Sequence, residues 1–162
     1  MSGREQQRHL FTGRWRQAPI SAPKEVAMQI QLVSMLRWCL KPMVIWRHVP
    51  NGEVRDKRTA QKLKAMGVLP GSADLEFFWV DEMPSGPWAL PPELRTRFRA
   101  LFLELKRSAG IKLTTEQAEF GLAMRALGAD FEVASSIDEA IAAVGTRGLI
   151  RTDVEVCGRR WP

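Results

Sequence analysis

The segment Ala100–Lys106, Ala-Leu-Phe-Leu-Glu-Leu-Lys, constrains this chain more than any other stretch. Side chains alternate across a strand, so Leu101, Leu103 and Leu105 share one face and Phe102, Glu104 and Lys106 the other. The first face is wholly apolar, and the second is apolar until its end. A carboxylate and an ammonium at the end of such a strand are costly to bury unless they are paired or bound to something. Read alone, they form an ion pair or an edge-strand charge pair.

The surrounding pattern alternates helices and strands. Ser21-Ala22-Pro23 suits a helix start, and Ile30, Val33, Leu36 and Leu40 recur at helical spacing over 24–39 until Pro42. Residues 43–49 read as a strand, and Pro50-Asn51-Gly52 as a turn. Residues 55–66 read as a short amphipathic helix with a basic face, ended by Gly67. A second strand is expected over 74–80, with a Pro-, Gly- and Ser-rich loop after it and a short helix near Glu93. Thr114 begins a helix carrying Phe120, Leu122, Ala123 and Leu127, which Gly128 ends. A strand over 131–134 and a helix over 138–144 follow, the latter preceded by Ser136 and Glu139 at capping-box spacing. No pattern is visible after Gly145.

This order predicts an α/β protein: a small central mixed β-sheet flanked by helices on both faces. With 162 residues, the chain suits one domain. The expected division is a flexible basic extension over 1–20, the domain over 21–150 with an insertion loop at 81–97, and a C-terminal tail over 151–162. Trp38, Trp46 and Trp79 fall on expected elements and read as core.

Lysine and arginine number 24 against 18 acids, a net charge of +6, which suits a polyanionic partner such as nucleic acid. Two cysteines and two histidines exclude a disulfide scaffold and a histidine-rich metal site. Any metal chemistry must therefore rest on carboxylates, which favours Mg²⁺ or Mn²⁺. No apolar stretch approaches the ~18 residues of a membrane span. The polar start Met1–Arg8 leads into no apolar core, so a cytoplasmic chain, not a secreted one, is expected.

Gly71-Ser72-Ala73-Asp74 puts an acid at the start of the second strand, after a glycine-bearing turn. If that strand and the third pair as a hairpin, Asp74 and Glu104 converge at one end of the sheet. Two carboxylates and a backbone carbonyl make a hard-oxygen site suited to Mg²⁺. A lysine beside such an ion can orient a water.

A GxxD element, a strand bearing E-x-K and a following helix bearing Gln resemble the PD-(D/E)XK nucleases with their restriction-endonuclease-like core. More specifically, the chain resembles the VRR-NUC branch. The likeness is carried by His48-Val49-Pro50-Asn51-Gly52-Glu53-Val54-Arg55-Asp56-Lys57, by Lys62 to Val68, by Gly71 to Asp74, by Leu103 to Arg107 and by Leu113 to Gln117. It implies that Asp74, Glu104 and the Leu105 carbonyl ligate a Mg²⁺ or Mn²⁺ ion, and that Lys106 positions and activates the attacking water. It also implies that Gln117 sits beside the site and that Glu25 completes it from the first helix. The implied activity is a DNA endonuclease selective for branched or junction DNA, a homodimer, in a bacterial or phage-infected cell.

The chain departs from the family in having Ala73 where a proline precedes the aspartate, and in the long gap from Asp74 to Glu104. Glu76 is a rival acid on the Asp74 face. Structural readings stand beside the functional ones. Glu25 suits a helix first turn through the dipole. Gln117 is the N3 partner expected of a Thr114 capping box. His48 and Asn51 are expected to contact DNA, with Arg55, Lys57, Arg58, Lys62 and Lys64 meeting phosphates without reading sequence. The alternative reading is a non-catalytic DNA-binding or replication-accessory module on the same fold, against which the intact Asp74, Glu104 and Lys106 argue.

Overall fold

A computed structural model describes residues 24–49, 61–62, 65–82 and 96–162. Helix α1 spans Lys24–Cys39, strand β1 Ile45–His48, β2 Leu75–Glu82 and β3 Thr96–Leu105. Helix α2 spans Thr115–Ala126, β4 Asp130–Ala134 and α3 Ile137–Gly145. Two short strands, β5 (Glu155–Val156) and β6 (Arg159–Arg160), follow. The main sheet has the order β1-β2-β3-β4. Its first three strands are antiparallel, and β4 lies parallel to β3 across the α2 crossover. The sheet is therefore mixed, and the fold is the expected α/β arrangement.

The third strand's alternation divides the molecule into layers. Leu101, Leu103 and Leu105 are buried with Leu75, Phe77 and Trp79 of β2 on one face. Leu32, Leu36 and Cys39 of α1 and Ala140, Ile141 and Val144 of α3 complete that core. Its buried α1 residues centre on Leu32 and Leu36, while Val33 and Met35 pack at the margin. Trp46 stacks on Phe77 at 6.3 Å, and Trp38 packs at the edge of the same cluster. On the opposite face α2 seats Phe120 edge-on between Phe102 (5.4 Å) and Phe131 (6.2 Å). Gly121 permits that approach, because a Cβ there would lie 2.8 Å from the Phe131 ring. Helices thus cover both faces, as the doubly apolar strand required. Among the described residues no helix is long and apolar enough to cross a membrane.

The expected boundaries change in three places. Strands β2 and β3 run on to Glu82 and back to Thr96, with Asp81 opposite Arg97. The ends of the 81–97 insertion therefore belong to the sheet, and its remainder lies outside the described residues, as do the helix near Glu93 and the extension 1–20. The physical cause is polar. Trp79 Nε1 donates to Asp81 Oδ1 at 2.7 Å and Arg99 lies 3.8 Å from the same carboxylate, so charged residues hold a ladder that an apolar pattern does not reveal. At α3, Ser136 caps Glu139 N–H, but the Glu139 carboxylate turns to Ser135, accepting from its N–H and its hydroxyl.

The third change is the chain after Gly145, which has structure. Leu149 and Ile150 are buried, and Lys41 N–H and Arg151 N–H bond back across Leu149 O and Cys39 O. Val154 and Val156 join the core. The β5–β6 hairpin turns through Cys157 (φ 51°) and Gly158 (φ 69°), two consecutive left-handed residues as a type I′ turn requires. Trp161 then lies against Gly145, where a Cβ would meet its indole at 2.2 Å.

Leu103 is fully buried in the central strand. Leu103→Ala is expected to cost about 2–5 kcal/mol of unfolding free energy, because a rigid sheet closes poorly over a cavity. Val133→Ala, at a 42% exposed site, should cost well under about 1 kcal/mol. Urea denaturation of both variants checks the contrast.

Candidate active site

The β2–β3 register pairs Leu75 with Leu103, which brings Asp74 beside Glu104 at the end of the hairpin. The link is direct: Leu105 N–H donates to Asp74 Oδ2 at 2.7 Å. Glu104 and Lys106 project to one face, and Lys106 Nζ lies 2.9 Å from Glu104 Oε1. Both are buried, Glu104 at 2% exposure and Lys106 at 8%. Lys106 falls just beyond β3, yet its N–H still donates to Ala134 O at 2.8 Å, which keeps the strand straight through the site.

Gln117 closes the arrangement from α2. Thr114 caps that helix, accepting from Gln117 N–H at 3.2 Å, while Gln117 Oε1 accepts from Thr114 N–H at 3.0 Å. The same Oε1 accepts from Lys106 Nζ at 2.7 Å, and Gln117 Nε2 donates to Glu104 Oε1. The capping-box and site roles of Gln117 are therefore one side-chain conformation. Gly71 (φ 77°) makes the fit possible, because a Cβ there would lie 2.3 Å from Glu116 C and 2.7 Å from Gln117 N. The loop leading to Asp74 thus rests on the first turn of α2. Ala73, just before Asp74, is fully buried.

Burial pushes the Glu104 carboxyl up to about 7, and the nearby Asp74 charge adds to the rise. The bond and charge of Lys106 act in the opposite direction but do not cancel them. Asp74 is also raised, first by desolvation; the Leu105 N–H holds it down, and the Glu25 charge pushes it up. Glu25 raises Glu104 as well, so α1 brings its first-turn acid within electrostatic reach of both carboxylates. The charges of Asp74 and Glu25 thus act on Glu104 together, and one lysine does not offset them and the burial.

Glu104 Oε2 is buried and has no hydrogen-bond partner among the described residues. A buried carboxylate oxygen without a donor is costly, and a cation would satisfy it. Among the described residues no three His, Cys, Asp or Glu side chains gather closely enough to hold a metal ion. The donors that fit a divalent ion are therefore the Asp74 and Glu104 carboxylates with a backbone carbonyl, and Glu25 stands further out.

Other expected residues fall elsewhere. Glu76 is buried, and Arg47 Nε donates to its Oε2 at 2.6 Å, so this rival acid is already engaged. Lys62 is exposed on a helical turn, with Met66 N–H donating to its carbonyl. Asn51, Arg55, Lys57, Arg58 and Lys64 lie outside the described residues. His48 ends β1 with Nδ1 turned inward, 2.9 Å from Asp74 O and 2.6 Å from the Gln29 amide. Neither the Gln29 contact nor the Arg47–Glu76 pair follows from a motif.

The structure is an α/β mixed sheet between helices, with two acids and a lysine converging at one end of its central strands. No family model matches the chain, and no curated protein matches it. Among solved structures its fold is similar to that of a VRR_NUC domain protein, with a TM-score of 0.51 and 20% identity over 75% of this chain and 85% of the other. The likeness is one of fold, and it agrees with the resemblance carried by the motifs.

Two outcomes follow. Gly71→Ala should destabilise the chain by about 1–3 kcal/mol, through positive φ and the clash with α2, read as a lower urea midpoint. Glu104 titrates near 7 folded against an ordinary 4.5, so between those values the folded state holds more protons at this group than the unfolded state. Its contribution to stability is full below pH 4.5 and falls as the pH rises through about 7. Thermal unfolding in EDTA should therefore show a decline in wild type across this window that Glu104→Gln flattens.

Proposed function

We propose that this chain is a metal-dependent DNA endonuclease that hydrolyses phosphodiester bonds. The observation that carries the reading is the buried Glu104, bonded to Lys106 and Gln117 and beside Asp74, with one oxygen left without a donor. Structural ion pairs normally satisfy their oxygens, and an oxygen without a donor beside a second acid supports a cation-binding reading.

In this reading Asp74, Glu104 and the Leu105 carbonyl would hold Mg²⁺ or Mn²⁺, and Glu25 would complete the site from α1. The bound ion supplies Lewis-acid charge for the oxyanion that develops on the scissile phosphate. Lys106, fixed by Glu104 and Gln117, orients the attacking water in line with the bond to be broken. Gln117 keeps the ammonium aimed without adding charge. Lys62, the basic residues preceding it and the net charge of +6 suit phosphate contacts along a duplex, so binding should weaken steeply with salt. Selectivity for branched or junction DNA and a homodimer carrying two sites belong to the same proposal; a two-fold pair would cut symmetrically. The fold likeness to a VRR_NUC domain protein supports it.

The test is cleavage of labelled linear, flap and four-way-junction DNA in Mg²⁺, Mn²⁺ or EDTA. Wild type should cut only with metal. Asp74→Ala and Lys106→Ala should each lose about 100-fold or more in kcat while keeping their folding transitions. Salt-sensitive DNA binding by wild type without any cutting would establish the accessory-module reading instead.

A further inference from the structure

We infer that His48 is a positioning residue of this site, holding Asp74 directly and Glu25 through Gln29. The inference rests on the proposed nuclease reading and gives His48 a role other than the DNA contact expected from its motif. Asp74 O accepts from Val49 N–H at 2.9 Å and lies 2.9 Å from His48 Nδ1. Its Oδ2 accepts from Leu105 N–H at 2.7 Å. Asp74 is thus held through its backbone by β1 and through its side chain by β3.

The chemistry fixes the ring's protonation pattern. A carbonyl oxygen only accepts, so His48 Nδ1 must carry a proton to bond it. Gln29 Nε2 lies 2.6 Å from the same nitrogen, and with that nitrogen protonated the amide turns over to accept from it through its oxygen. One N–H therefore ties α1 and the start of β2 together.

That tie matters because the side chains of Leu32, Leu36 and Cys39 bury α1 by apolar packing, and the bond from Arg151 N–H to Cys39 O lies at the helix's far end. Such packing sets the distance of α1 from the sheet more firmly than its rotation. Gln29 lies one turn after Glu25, on the same side of the helix. Fixing Gln29 on His48 therefore fixes the direction of Glu25, whose charge already reaches both Asp74 and Glu104.

The experiment compares His48→Ala, His48→Asn, His48→Gln and Gln29→Ala. Mn²⁺ binding is measured by calorimetry without DNA, and kcat and KM are measured on the best-cut DNA. Asparagine carries its amide near the Nδ1 position, and glutamine carries it near Nε2. His48→Ala should weaken Mn²⁺ binding by about tenfold or more and lower kcat with KM unchanged. His48→Asn should recover most of the loss, and His48→Gln should not. Glu25→Gln should weaken Mn²⁺ binding in wild type but have little further effect in the His48→Ala background. Unchanged Mn²⁺ affinity in His48→Ala overturns the inference alone. Rescue by glutamine with a raised KM overturns it too, and makes the ring a DNA contact. A wild type that neither binds Mn²⁺ nor cuts DNA removes the nuclease reading and this inference together.

Discussion

Pairing of Leu75 with Leu103 determines how Asp74, Glu104 and Lys106 converge. Strand side chains repeat with a period of two, so a slip of one residue would turn the core leucines outward and the charged residues inward. The buried faces of β2 and β3 make that slip prohibitive. Leu75, Phe77, Leu101, Leu103 and Leu105 are all fully buried, and moving any of them to the other face would forfeit its burial. The hydrophobic core therefore sets the chemistry: with this register Asp74 must meet Glu104, and the Leu105 N–H must meet the Asp74 carboxylate.

The site is also the place where the fold works against its own stability. A lysine and a glutamate at the end of a covered strand lose hydration that their mutual attraction only partly returns. Asp74 and Glu25 add two further acids, and the result is a Glu104 carboxyl pushed up to about 7. Elsewhere in the sheet acids meet guanidinium groups, as Glu76 meets Arg47. Asp130 accepts from Arg99 and Arg147, and Arg147 reaches Glu132 as well. Arg99 also approaches Asp81. The contrast within one sheet lies between acids each given a guanidinium and acids left in excess beside one lysine.

Much of this was legible in the sequence, for reasons that can be named. The strand from Leu101 to Leu105 is apolar on both faces until Glu104, so both had to be covered, and this dictated the layers. The glycine turn before Asp74 and the E-x-K strand pointed to one sheet end because antiparallel pairing has few alternatives there. Thr114 and Gln117 carried their spacing openly. What stayed hidden was held by contacts that leave no periodic trace. The extension of β2 and β3 depends on Asp81, Arg97 and Arg99, residues that read as loop. The β5–β6 hairpin turns on Cys157-Gly158, where the usual Asn-Gly or Asp-Gly signal is missing. The His48 contacts join residues 19 and 26 positions apart, a separation no local pattern encodes.

Gln117 shows how the fold prepares the site before any ligand arrives. Its side chain is required at the first turn of α2, where it satisfies the Thr114 N–H. That requirement fixes its rotamer for structural reasons, and the fixed rotamer is the one that accepts from Lys106. Lys106 would otherwise bring four rotatable bonds of freedom to the site, and ordering them on binding would cost affinity. Here the ordering is done by helix initiation and by the close approach of Gly71 to the same turn. A residue that looks ambiguous between cap and site is therefore better understood as the coupling between them: forming the helix start orients the ammonium.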